Sequence, residues 1–281
     1  MSSEETFETL LLSIGCEFGY QADFATAAIV QVEARRDDNR FRIARESWRA
    51  TPELQTDSYA DWQGNPNRRL IIPPGTTVLT YDAEIEISAL PDETDESATQ
   101  SRIEDLPAET LVFLLASRYC LSDALSDEAW RLFADAPPGW LRVQAICDWI
   151  HHNIQYRAGA STPLTTSLDV FNQKAGICRD FAHMGITFCR AVGIPARYVF
   201  GYLPDIGVSD PGTPMDFHAW FEAYLGGRWR TFDARHNFPR IGRVSVGRGR
   251  DAVDCAMLTT FGDATLQTMK VWAEPKTNPK H

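Results

Sequence analysis

The feature that most restricts this chain is a glycine pair between two alternating runs. Leu225-Gly226-Gly227-Arg228 separates Phe217–Tyr224 from Arg228–Ala234. A two-residue Gly-Gly turn pairs Leu225 with Arg228, because both glycines accept the positive φ such turns require. Tyr224 then faces Trp229, Phe221 faces Phe232 and Ala219 faces Ala234. One face collects Phe217, Ala219, Phe221, Ala223, Phe232 and Ala234, and this side packs on a core. The other carries His218, Trp220, Glu222, Thr231 and Asp233. Asp233 lies opposite Trp220, which makes it the diagonal neighbour of His218 at about 7–8 Å between Cα atoms, within reach of an imidazole–carboxylate hydrogen bond. A one-residue slip would part the two and scatter the apolar set.

A histidine steered by a carboxylate suggests a nucleophile nearby, and six cysteines compete for the role. Ala175-Gly176 breaks the chain. Cys178 to Ala191 then reads as a helix with Phe181, Met184, Phe188 and Ala191 on one face, ended by Gly193-Ile194-Pro195. Cys178 sits in the first turn, where free N–H groups and the helix dipole favour thiolate, and Gly176 is expected to leave room for a substrate. Cys147 and Cys189 fall inside apolar helical patterns and read as small hydrophobes. Cys16 and Cys120 have no polar company, and Cys255 follows a charged loop. Six cysteines are too sparse for a disulfide framework, and none shows CxxC spacing, so neither disulfides nor structural zinc is expected. Reduced thiols in a cytoplasmic protein are the default.

The remaining sequence divides by pattern. Leu79, Tyr81, Ala83, Ile85 and Ile87 alternate with Thr80, Asp82, Glu84, Glu86 and Ser88, the signature of a half-buried antiparallel strand. Ala28, Val30, Val32 and Ala34 repeat it, and residues 7–18 form another apolar segment. Residues 91–105 are polar and acidic, which marks an exposed linker. Helical patterns follow, through the apolar residues 109–118 and then Trp140, Val143, Ile146, Ile150 and Ile154 after Pro137-Pro138. Strands are expected at Arg197–Tyr202 and in the hairpin. These readings give an α+β chain: an N-terminal all-β domain over 1–90, a linker over 91–108 and a catalytic domain over 109–281.

The chemistry that joins Cys178, His218 and Asp233 is acyl transfer. A thiolate attacks a carbonyl carbon to form a thioester. The imidazole holds the thiolate as an ion pair and then protonates the departing amine, while the carboxylate fixes the tautomer. The Cys178 N–H is the natural first oxyanion donor, with Tyr156 and Gln173 as candidates for a second.

Ala175-Gly176-Ile177-Cys178-Arg179-Asp180-Phe181-Ala182-His183 resembles the nucleophile segment of bacterial transglutaminase-like proteins. Gly193-Ile194-Pro195-Ala196-Arg197-Tyr198-Val199 follows it as in that family. Asp216-Phe217-His218-Ala219-Trp220 and Trp229-Arg230-Thr231-Phe232-Asp233 resemble the histidine and aspartate segments, in the right order, and Arg248-Gly249-Arg250-Asp251-Ala252 resembles a downstream loop. The match spans about residues 110–260, and the N-terminal β region is more weakly similar to the small domain preceding this core in many bacterial members. The resemblance implies a papain-like core and a Cys178–His218–Asp233 triad acting on peptide or protein substrates. It leaves hydrolysis and amine transfer open.

Other features carry blander readings. A net charge of -11 argues against nucleic acid or an anionic membrane as partner. No apolar run approaches the ~18 residues of a transmembrane helix, and the acidic N-terminal residues do not resemble a signal peptide. His151 and His152 point about 100° apart on a helix and suit an exposed helix end rather than a metal. His183 is expected to pack near the site, and Arg179 and Asp180 to support its helix start. Tyr119, Trp140, Trp149, Trp220 and Trp229 read as core or cleft wall. Arg240, Arg243, Arg248 and Arg250 read as a solvated basic loop. With no EF-hand, P-loop or dinucleotide motif, no cofactor or calcium is expected. The alternatives are arylamine-type acyl transfer and a non-catalytic peptide-binding or assembly module on the same fold.

Overall fold

The computed structural model describes residues 9–209 and 212–276. Six strands open the chain: β1 (Thr9–Ala22), β2 (Thr26–Val30), β3 (Phe41–Thr51), β4 (Thr56–Ala60), β5 (Pro66–Ile72) and β6 (Gly75–Ser88). β6 alternates as its sequence dictates, with Leu79, Tyr81, Ala83, Ile85 and Ile87 buried. The expected apolar segment 7–18 lies within β1, apart from residues 7 and 8, which fall outside the described residues. β2 stops at Val30 although Val32 and Ala34 are also buried. There the backbone bonds elsewhere: the Val32 carbonyl accepts from the Tyr202 hydroxyl at 2.9 Å, and the Ala34 N–H donates to the Tyr81 hydroxyl at 3.2 Å.

The middle of the chain supplies α1 (Ser126–Phe133), α2 (Trp140–Asn153), β7 (Gln155–Tyr156), α3 (Ser167–Gln173), β8 (Ala175–Gly176) and α4 (Cys178–Ala191). β9 (Ala196–Tyr202), β10 (His218–Leu225), β11 (Arg228–Phe232) and β12 (Val244–Gly249) follow, and β13 (Leu258–Phe261) and β14 (Ala264–Pro275) end the described chain. The helical pattern expected over 109–118 is a 3₁₀ helix, Ala108–Leu114. It buries only Thr110 and Phe113, three residues apart, which is one 3₁₀ turn. No helix among the described residues is long and apolar enough to cross a membrane.

Three four-stranded sheets run in the orders β14-β1-β6-β3, β13-β2-β5-β4 and β11-β10-β9-β12. All their pairings are antiparallel. The last two strands return to the first half of the chain, β13 to β2 and β14 to β1. A division that assigns all of 109–281 to one domain therefore cuts through two sheets.

Residues 91–105 are largely exposed, but several of them are bonded to the rest of the fold. Asp92 accepts from Arg243 Nε at 2.7 Å, Glu93 from Arg230 at 2.7 Å, and Asp95 from Arg230 at 2.5 Å. The Ala98 carbonyl takes the N–H of Trp140, and the Thr99 carbonyl that of Gly226, both at 2.9 Å. Asp92, Glu93 and Asp95 are thus partners for arginines in or just before strands of the third sheet, and the segment is tied down between residues 92 and 99.

α4 lies at the centre of the helical part, buried from Asp180 to Arg190 and packed on β10, α2 and α3. Gly185 brings it close to the sheet, since a Cβ there would stand 2.4 Å from the Phe221 ring. The β10–β11 register is the one the glycine pair dictates, with Phe221 opposite Phe232 and Tyr224 opposite Trp229. The polar face of β10 does not meet solvent, however. Trp220 and Glu222 are buried, beneath the β2–β3 connection: Arg40 Nη1 donates to Thr231 at 3.1 Å and its guanidinium lies 3.5 Å from Glu222.

Candidate active site

The start of α4 is fixed by its own sequence. Ile177 is extended, and its N–H donates to Asp180 Oδ2 at 2.8 Å, which satisfies one of the donors a helix N-terminus leaves free. β8 holds the approach by pairing in parallel with β7. Gly176 is needed here, but not to admit a substrate: a Cβ would stand 2.7 Å from the Asp180 Cβ. The space is taken by the capping carboxylate. Asp180 is fully buried and pairs with Arg179 at 3.1 Å, so both act as the helix-start partners expected of them.

Cys178 is partly accessible, and the other five cysteines are buried. Its Sγ lies 4.0 Å from the carbonyl oxygen of Phe217, the residue before His218. Cys178 and His218 line one cavity of about 430 Å³, together with Tyr156, Asp216, Arg235 and His236. Burial pushes the Cys178 thiol up to about 11, against the smaller opposing pulls of the Ala219 N–H and Arg235. Desolvation thus works against the dipole-stabilised thiolate expected at this helix start.

His218 Nε2 and Asp233 Oδ2 are 2.7 Å apart, as the hairpin register requires, although Asp233 lies just beyond the end of β11. Asp233 is richly held. Oδ2 also accepts from Arg243 Nη2 at 2.9 Å, and Oδ1 accepts the N–H groups of Arg235 at 3.1 Å and His236 at 3.2 Å. Burial alone would raise this carboxyl, but the neighbouring His218 and Arg243 hold it well below the usual carboxylate range. Burial lowers His218, only partly offset by Asp233. Arg235 Nη1 stands 3.4 Å from His218 Nδ1. A guanidinium can only donate, so Nδ1 is an acceptor and the ring proton sits on Nε2, facing Asp233.

Of the two oxyanion candidates, Tyr156 lines the cavity, whereas Gln173 is committed to the Ala175 carbonyl at 2.8 Å. His183 is buried, accepts the Ala252 N–H at 3.1 Å and stacks on Tyr119, a packing role. His151 and His152 are exposed, and each bonds a backbone carbonyl, Arg235 at 3.0 Å and Asp148 at 2.7 Å. His218, Asp233 and His236 place possible ligand atoms within 4.8 Å of one another. Arg243 already occupies Asp233, and Arg240 Nη1 lies 3.1 Å from the His236 ring, a cationic setting that suits no second cation.

The arginine loop is the main correction. Arg240 and Arg243 are buried. Arg240 donates to the Pro204 carbonyl at 2.9 Å, Arg243 bridges Asp92 and Asp233, Arg248 meets Asp38 at 2.9 Å, and Arg250 meets Asp254 at 2.9 Å. Sequence reasoning missed Arg243, Asp92 and Arg235 as parts of the site. The available signal was the match between acids in 91–95 and arginines in 228–250.

A crystal structure of a Cytophaga hutchinsonii protein described as a candidate cysteine protease superimposes with a TM-score of 0.88 at 33% identity, covering 98% of this chain and 93% of that one. The family description Transglutaminase-like superfamily matches residues 131–234. The chain belongs to the transglutaminase-like superfamily. Its fold is therefore the expected α+β transglutaminase-like core with an N-terminal β region. An uncharacterized protein of Mycobacterium leprae is 35% identical over 119 residues, 41% of this chain and 42% of that protein. Human kyphoscoliosis peptidase is 28% identical over 149 residues, 50% of this chain and 22% of the peptidase. The chain spans less than half the length of these curated relatives.

Proposed function

We propose that this transglutaminase-like protein is a cysteine-dependent acyl-transfer enzyme that opens amide bonds of peptides or proteins through a thioester on Cys178. The observation that carries the reading is the convergence of the accessible thiol and the Asp233-held imidazole on one cavity. In this mechanism Cys178 and His218 rest as a neutral pair. As substrate binds, the Sγ proton moves to His218 Nδ1 and the sulfur attacks the carbonyl carbon. Asp233, kept ionised by Arg243, stabilises the imidazolium that forms. The C–N bond breaks as Nδ1 returns its proton to the leaving amine, and water then resolves the thioester. The Cys178 N–H, in the first turn of α4, is the first oxyanion donor and Tyr156 the candidate second.

Relatives described as a candidate cysteine protease and as a peptidase favour water over an amine in the second step. The six unpaired thiols suit a reducing, cytoplasmic setting. The test compares wild type with Cys178→Ala on a mixed peptide library, with and without a fluorescent primary amine. Wild type is expected to release new amino termini, to incorporate little of the amine, and to lose both products on substitution. Equal cleavage by the two proteins would overturn the reading.

A further inference from the structure

We propose that Arg235 anchors a carboxylate on the leaving-group side of the substrate, so that the site takes amides whose released amine is acidic. The inference rests on the assignment of Cys178 and His218 above and names the class of substrate they act on.

Four observations lead there. Arg235 is fixed at its base, because its N–H bonds Asp233 Oδ1 at 3.1 Å. Its guanidinium lies over the Tyr156 ring, 3.9 Å from the centroid, in the wall of the cavity that contains Cys178. Among the described residues no carboxylate pairs with it, whereas Arg179, Arg240 and Arg243 each pair with an aspartate. Asp216 shares the cavity and feels the charge of Arg235, but its Oδ1 accepts the Phe217 N–H at 2.7 Å and it forms no ion pair with Arg235. The charge of Arg235 is therefore available to a ligand.

The fourth observation gives the direction. Arg235 Nη1 lies 3.4 Å from His218 Nδ1, the nitrogen left to serve the thiol and the departing amine because Nε2 is bonded to Asp233. A group bound by Arg235 lies beside the amine that receives the Nδ1 proton, and so belongs to the leaving half. The same contact acts as a latch. While Nη1 donates to Nδ1, that nitrogen cannot take the thiol proton. A carboxylate is a far better acceptor for a guanidinium than an imidazole nitrogen. Its arrival draws Nη1 away and frees Nδ1, so the base is released when an acidic substrate is in place.

Alkylation of Cys178 tests this without a known substrate. Iodoacetate carries a charge that the similarly sized iodoacetamide lacks, and their rates at Cys178, referred to those at free cysteine, are read by peptide mass spectrometry. The wild-type iodoacetate-to-iodoacetamide ratio is expected to exceed that of free cysteine by about tenfold, the scale of one charge-assisted contact. Arg235→Gln should return the ratio to the free-cysteine value while iodoacetamide still labels Cys178, and Arg235→Lys should keep part of the preference. A wild-type ratio no greater than that of free cysteine, or the same ratio in Arg235→Gln, overturns the proposal. Where peptides are cleaved, matched pairs separate the two sources of the carboxylate: a free against an amidated C-terminus, and Asp against Asn after the scissile bond. Equal kcat/KM within both pairs also overturns it. A charge-dependent ratio in a protein that cleaves no amide would uphold the anchor and reject the enzymatic reading instead.

Discussion

β6 and β10 have similar sequence patterns and opposite fates. Both alternate apolar with polar residues. In β6 the polar set stays at the surface, half-buried at most, and Arg42–Glu86 and Arg45–Glu84 bridge neighbouring strands there. In β10 the polar set is as buried as the apolar one, apart from Tyr224. Glu222 meets Arg197 at 2.6 Å and the arginines at 40 and 248 at 3.5 Å, and His218 meets Asp233. Alternation thus shows which residues share a face, but not whether water or protein covers it. A polar row enclosed by protein needs a partner for every charge, and one end of this row supports the proposed chemistry.

The largest expected effect comes from that end. His218→Ala is expected to lower the acylation rate about 10³-fold or more, with thermal unfolding little changed because Asp233 keeps Arg243 and two backbone N–H groups. Stopped-flow acylation beside a melting curve checks both halves. A comparable loss from a substitution on β6 would erase the distinction between the strands.

Arg243→Gln should come next. It leaves Asp92 and Asp233 buried without their shared cation, a loss of about 3–5 kcal/mol by comparison with broken buried pairs. The same change removes a positive charge that lowers His218, so the acid limb of the rate profile should move to higher pH. A denaturant titration and a pH–rate profile read these separately, and an unshifted limb would confine Arg243 to a structural role.

Glu222 gives the pH test of the buried row. Burial would raise its carboxyl, but Arg197, Arg248 and Arg40 bring it from 4.5 down to about 2. A depressed folded-state pKa contributes stability above the unfolded value and loses it as pH falls. About 3 kcal/mol should therefore disappear between pH 4.5 and 2. Glu222→Gln should lower stability at pH 7 and flatten that part of the curve. An unchanged acid slope would contradict the depressed carboxyl.

The smallest effect belongs to β6. Glu86→Gln breaks an exposed pair with Arg42, and Tm should move by less than about 2 °C. A larger shift would mean that the two strands do not differ as described.

What could be read from the sequence follows the same division. The glycine pair set the hairpin register, and helical spacing marked α4, because both depend on residues close in the chain. Cys178 could be singled out as the thiol at a helix start for the same reason, and it is the partly accessible one of the six. Arg243 could not be read, since its meaning lies in Asp92, some 150 residues away. The acids of 91–95 looked like a solvated linker and the arginines of 240–250 like a solvated loop, although Asp92 pairs with Arg243, Glu93 and Asp95 with Arg230, and Arg248 with Asp38 between β2 and β3. The helix-start argument for a thiolate counts a local dipole and omits burial, which pushes the Cys178 thiol the other way.

The central claim is that Cys178 carries the acyl group while His218 handles the proton. Acid-quenched mass spectrometry of the protein mixed with a cleavable peptide tests it most directly. The expected result is a transient mass increase equal to the acyl half of the peptide, mapped to Cys178 and absent in Cys178→Ala. Steady cleavage with no adduct in Cys178→Ala, or an acyl group mapped to another residue, would contradict it.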